Sequence, residues 1–187
     1  MKRFFIRKMS KSIKSVLMNK KGVHSMAETK LNTVEEDTQK DKYLIFAINS
    51  ESYGIEIQYV TEIIGIQKIT EVPQLPDYIK GIINLRGKIV PVMDVRLRFK
   101  KQAGVYNDRT CIIVVDIMGM LVGLIVDSVS EVVTINESDI SELPQMNRVS
   151  HNRFIKNIGK VGNEVRLLLD CERLLTDDDI DNLNEIL

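Results

Sequence analysis

Tryptophan is absent from this 187-residue chain, histidine and cysteine occur only twice each, and aromatic residues make up 5%. So few aromatics leave little for a surface that stacks single-stranded bases. Cys111 and Cys171 stand 60 residues apart, with no C-x-x-C pair and no neighbouring histidine. Each lies in or beside an apolar strand, so they read as free core thiols in a reducing compartment. His24 belongs to the N-terminal segment, and His151 sits in a polar loop away from any nucleophile elbow. A Ser/His/Asp triad has nothing local to build on. Glycine-rich phosphate loops, Walker lysines and Cys/His metal spacings are missing as well. The paired acids Glu35-Glu36 and Asp177-Asp178-Asp179 fall in terminal segments and read as solvated faces. No apolar run reaches the ~18–20 residues that span a bilayer. Catalysis, a cofactor, a metal and a small-molecule substrate are therefore not expected, and the cytoplasm is the default compartment.

What is present is an ordinary apolar content of 44% and a charged content of 28%, enough for one or two compact units. The zero net charge hides an asymmetry. Residues 1–25 hold eight Lys/Arg and no acid, leaving 18 basic against 26 acidic residues in the remainder, a net −8. The leader places Phe5, Met9, Ile13, Val16 and Leu17 near one helical face, which suits an amphipathic surface helix. A disordered tail or an over-long reading frame is the favoured reading, because composition changes sharply at Met26-Ala27-Glu28. Residues 26–41 are polar and aperiodic, so residues 1–41 read as a flexible N-terminal segment.

Internal similarity sets the architecture. YGIEIQYVTEII (53–64) aligns with VGLIVDSVSEVV (122–133) at an offset of 69, and LIFAI (44–48) with IVVDI (113–117). EVPQ (71–74) answers ELPQ (142–145), and KGIINLRGKIVPVMDVRLRF (80–99) lies over KNIGKVGNEVRLLLDCERLL (156–175) at an offset of 76. Each copy reads as five short strands, near 43–49, 52–57, 60–66, 80–86 and 88–93, then 111–117, 120–127, 129–135, 155–161 and 164–170. Turns are expected at Asn49 to Ser52, Arg86-Gly87, Met118-Gly119 and Gly162-Asn163. Five short strands close most economically into a barrel. The expectation is a mostly β protein of two five-stranded barrels, near 42–99 and 108–175, with exchange of terminal strands open. Asp94 and Asp170 would cap short helical turns, and 176–187 reads as a C-terminal acidic helix capped by Thr176 or Asp177.

One residue does not follow from these needs. In GIINLRGKIVPVMDV (81–95), Ile82, Ile83, Leu85, Ile89, Val90, Val92 and Met93 look like two buried strands, with Arg86 between them. The second copy has Gly162 at that position, and turn chemistry would be satisfied by it. Arg86 is either a solvated tip or a presented contact, since arginine's planar fork is enriched at binding hot spots. Val60 and Glu62 pose the same choice between core or edge cover and contact.

YGIEIQYVTEI, VPQLPDYIKGIINLRGKIVPVMDVRLRF, GLIVDSVSEV and LLLDCERLL resemble the CheW coupling proteins of bacterial chemotaxis, over about residues 42–175. The resemblance implies two SH3-like barrels, no catalysis and two partners. These are the regulatory domain of the histidine kinase CheA and the cytoplasmic tip of a chemoreceptor (a methyl-accepting chemotaxis protein), which would hold the chain peripheral to the membrane. By position it makes Arg86, within Asn84-Leu85-Arg86-Gly87, the receptor-side arginine. Val60 and Glu62 become coupling positions, and Gly81 a position where bulk disturbs kinase association. The basic leader and the two cysteines, where aliphatics are usual, depart from the pattern. Competing readings are a tandem-barrel nucleic-acid binder using residues 1–25 as a basic arm, a hydrolase, and a detached kinase regulatory domain. The acidic globular part argues against the first.

Overall fold

The computed structural model describes residues 39–143 and 153–185, so the expectations for the basic leader, for His24 and for His151 lie outside the described residues. Eleven strands and two short helices follow one another in these segments: β1 (Lys42–Ile48), β2 (Glu51–Glu56), β3 (Val60–Gly65), β4 (Ile79–Leu85), β5 (Lys88–Asp94), α1 (Val95–Arg98), β6 (Cys111–Ile117), β7 (Met120–Val126), β8 (Ser128–Thr134), β9 (Ile140–Glu142), β10 (Ile155–Val161), β11 (Glu164–Leu169) and α2 (Asp177–Asn184). Alternation of buried and exposed side chains makes β4 a strand. Asp94 ends β5 by accepting from the Arg96 and Leu97 amides and so starts α1. Thr176 and Asp179 form a reciprocal capping box on α2.

The strands form two sheets, in the orders β8-β1-β2-β11-β10-β9 and β3-β6-β7-β5-β4. With each strand replaced by its repeat counterpart, the first five positions of the two orders are identical. The halves 42–99 and 108–175 each contribute to both sheets: the first two strands of each copy join the last three of the other. A parallel pair seals each exchange, β2 with β11 and β7 with β5. Gly54 and Gly123 sit at these crossings. A Cβ on Gly54 would lie 2.9 Å from Leu168 Cδ2, and one on Gly123 would lie 2.7 Å from Ile112 Cγ2. At both repeat positions a side chain would have to displace a packed neighbour, Leu168 of the parallel partner strand at Gly54 and Ile112 of the antiparallel β6 at Gly123.

The sixth strand of the first sheet, β9, is three residues long, too short for a periodic signal. Its counterpart in the second sheet is the single bridge between Thr70 and Ile82. Two apolar clusters result. The larger fills the space between the two sheets, and carries Phe46, Tyr53, Phe99 and Phe154 in successive ring contacts. The smaller lies inside the second barrel, around Ile83, Leu85, Val90, Val92, Ile112, Val114 and Ile125. Cys111 and Cys171 are both free and buried. Burial pushes their thiols up, to about 11 and about 12, so neither is a reactive thiolate.

Candidate functional site

The β4–β5 hairpin is anchored by Ile83, Leu85, Val90 and Val92, which point into the smaller core. Leu85 pairs with Lys88, leaving a two-residue loop. Arg86 has φ 56° and Gly87 φ 89°, the left-handed pair of a type I′ turn, whose twist matches the flanking strands. The Gly87 amide donates to Asn84 Oδ1 at 2.8 Å. A Cβ at Gly87 would meet nothing within 4 Å, so glycine serves backbone conformation there and not space. Arginine at the left-handed position costs roughly 1 kcal/mol against glycine.

From this tip Arg86 Nη2 donates to Glu62 Oε2 at 2.7 Å. The arginine side chain is 57% exposed and the glutamate 15%. The two are 24 positions apart, and β3 and β4 are the outer members of their sheet, so the contact reports how far the sheet curls. A bulge aims Glu62. In a regular strand Val60 and Glu62 would share a face, but the register with β6 slips between them. Val60 consequently enters the larger core, fully buried, while Glu62 faces the mouth of the second barrel. A pair this exposed is worth about 0–1 kcal/mol, so the fold does not depend on it.

The seven residues singled out from the sequence thus separate. Arg86, Glu62, Asn84 and Gly87 meet at one end of the second sheet. Val60 and Leu85 lie beneath them, the first fully buried in the larger core and the second buried in the smaller. Gly81 lies further along β4 at φ 127°, where a Cβ would be 2.1 Å from the Thr70 carbonyl oxygen. That oxygen accepts from the Ile82 amide at 2.9 Å, so added bulk acts by displacing the 70s segment. Ile89 departs from the expected buried run: it is 43% exposed, and Ile82 is only partly buried. Both lie on the hairpin face opposite the small core, where the first barrel stops covering the sheet.

Elsewhere, Arg98 is enclosed between the rings of Tyr78 and Phe154. Its Nε donates to the Leu174 carbonyl at 2.8 Å, and its Nη2 lies 3.4 Å from Asp179 Oδ2. Tyr78 donates its hydroxyl to Asp179 Oδ1 at 2.6 Å. This buried pair fastens α2 to the body. Among the described residues no three His, Cys, Asp or Glu side chains are grouped to hold a metal, and no helix is long and apolar enough to cross a membrane.

Residues 42–179 match the family profile of the CheW-like domain. The chain is 35% identical over 144 residues to the chemotaxis protein CheW of Klebsiella aerogenes, covering 77% of this chain and 87% of that protein. With the CheW of Bacillus subtilis it is 34% identical over 135 residues, covering 72% and 86%. Among solved structures, the scaffolding protein TtCheW from Thermoanaerobacter tengcongensis superposes with a TM-score of 0.67 at 36% identity, covering 72% of this chain and 91% of that one. This agreement carries the pair of SH3-like barrels. The nucleic-acid reading has no support in these similarities.

Proposed function

This chain belongs to the CheW-like family, and from that premise we propose that it is a non-catalytic adaptor of bacterial chemotaxis signalling, linking the regulatory domain of the kinase CheA to the cytoplasmic tip of a chemoreceptor. It works in the cytoplasm, held near the membrane only through the receptor complex. Its output is proximity: two proteins bound to one rigid body see each other at a raised effective concentration, with no bond made or broken. A barrel of the adaptor pairs with a barrel of the kinase domain, and the helical receptor tip lies along apolar positions beside the Arg86 turn.

The observation that carries this reading is the presentation of Arg86. An arginine occupies a left-handed turn position that favours glycine, reaches into solvent and is oriented by Glu62. A guanidinium offers five donors in a planar fork, and the bond to Glu62 uses one, so the pair can set the register of an incoming helix. The test is a titration of the full chain with the isolated CheA regulatory domain and with a receptor-tip fragment, following backbone amides. Arg86→Ala should weaken receptor-tip binding about 30-fold, equivalent to ~2 kcal/mol, and leave the thermal midpoint within a degree or so. Wild-type affinity in that variant would remove Arg86 from the contact. Failure of the unmodified chain to bind either partner would end the adaptor reading.

A further inference from the structure

The internal repeat supplies a control for every hairpin tip. In the first sheet the β1–β2 tip places Asn49 at φ 55°, and the β10–β11 tip places Gly162 at φ 60°. Asparagine and glycine are residues that tolerate this conformation. In the second sheet the repeat-equivalent positions are Met118 at φ 52° and Arg86 at φ 56°. Both tips of one barrel thus follow turn chemistry, and both tips of the other depart from it. Beyond this the two departures share one construction. Each is followed by a left-handed glycine, Gly87 or Gly119. In each, that glycine's amide is held by a side chain three residues back: Asn84 Oδ1 at 2.8 Å, Asp116 Oδ1 at 2.9 Å.

Topology brings the two tips together. Strands β5 and β7 are parallel neighbours, with Val92 opposite Gly123. Gly87 precedes Val92 by five positions and Gly119 precedes Gly123 by four, so both turns lie at the same end of the sheet. Their offset along the strands is roughly one residue, ~3 Å. On β5, Met93 is fully buried and Ile89, on the same face, is 43% exposed. On β7, Leu124 and Val122 are fully buried, Met120 is partly buried and Met118 is 73% exposed. Met93, Val122 and Leu124 all belong to the larger core, so these rows share one side of the sheet. An apolar ledge therefore emerges from the larger core toward the tips, at the end of the sheet that carries the Arg86 turn.

We propose that Met118 is a second contact residue of the adaptor site, presented by the β6–β7 tip to the same chemoreceptor helix that meets Arg86. This inference rests on the reading of Arg86 as a receptor-side contact. The occupant is an amphipathic helix: its apolar side chains, one turn apart, rest on Ile89 and Met118, and its polar flank meets Arg86 and Glu62. Methionine suits the position because its unbranched thioether adapts to a groove between helical side chains.

Met118→Asn is the informative variant, because stability and binding should move in opposite directions. Asn-Gly is the preferred sequence for this turn, so the thermal midpoint of the full chain should hold or rise. Affinity for the receptor-tip fragment should fall about 10-fold. Met118→Leu, which keeps the apolar bulk, should stay within about twofold of the unmodified chain. If Met118→Asn binds the receptor tip as the unmodified chain does while Arg86→Ala is weakened, the inference fails and the reading of Arg86 stands. If Met118→Asn weakens only the CheA regulatory domain, the assignment of this tip to the receptor is overturned. If the unmodified chain does not bind the receptor tip, both fall.

Discussion

Arg86 and Gly81 lie five residues apart on one hairpin and show how differently two positions of a single motif work. Arg86 spends backbone strain to place a guanidinium in solvent, so its removal should be felt by a partner and hardly by the fold. Gly81 is the reverse. At φ 127°, with the Thr70 carbonyl 2.1 Å from where a Cβ would stand, Gly81→Ala meets both backbone strain and a backbone clash. A loss of about 3 kcal/mol is expected, which lowers the thermal midpoint of a domain this size by roughly 6–12 °C. A scan of the variant beside Arg86→Ala checks it. Weakened kinase-domain binding in Gly81→Ala at a temperature where it stays folded would show displacement of the 70s segment propagating to that face. An unchanged midpoint would contradict the packing described at Thr70. The motif was legible in the sequence, but the division of labour within it was not: Val60 and Glu62 look equivalent until the bulge sends one inward and the other to Arg86.

At the scale of elements, α2 is a short helix held by one buried charge. Burial raises the Asp179 carboxyl, but the Tyr78 hydroxyl, the Thr176 amide and hydroxyl and the Arg98 charge together hold it below the ordinary aspartate range. Burial lowers Arg98, and Tyr78 is pushed up to about 12. Arg153 is the other charge felt by Arg98 and Tyr78. The sign follows from linkage. A carboxyl whose native pKa is depressed contributes stability that is complete above its unfolded value, near 3.9, and is lost as pH falls through the native value. Protection of the Asp177–Asn184 amides against exchange should therefore be level from pH 7 to 5. Below about pH 4 it should collapse, before protection of β6 and β7. Asp179→Asn leaves the buried Arg98 uncompensated, costing about 3 kcal/mol, and should show low α2 protection already at pH 7. An unaltered acid profile in that variant would mean the latch lies elsewhere. Thr176 was one of two N-cap candidates in the sequence, whereas Asp179, expected on a solvated face, is buried and completes the cap. Its tie to Arg98 was not readable, because 81 positions separate the two side chains.

For the whole molecule the consequence of strand exchange is that neither repeat copy can close a barrel. Residues 39–104 contain β1 to β5 but lack the β6–β7 pair that joins β3 to β5, and residues 105–187 lack the β1–β2 pair that joins β8 to β11. Each fragment alone should show no cooperative unfolding transition, while an equimolar mixture should recover one, together with receptor-tip binding. Independent folding of either fragment would refute the exchanged topology. Ten of the eleven strands, their turns, the repeat, the buried thiols and the family were determined by the sequence, because alternation, left-handed turn residues and internal similarity are written within a few residues of one another; β9 is too short to leave such a signal. Only the tertiary structure decided which strands pair across the repeat, that Arg86 is steered by Glu62, that Val60 and Gly81 are inaccessible, and that Ile89 and Met118 emerge at the same end of the sheet as the arginine. Those outcomes depend on bulges, parallel crossings and the curl of a sheet, which join residues far apart in the chain, and no local pattern records them.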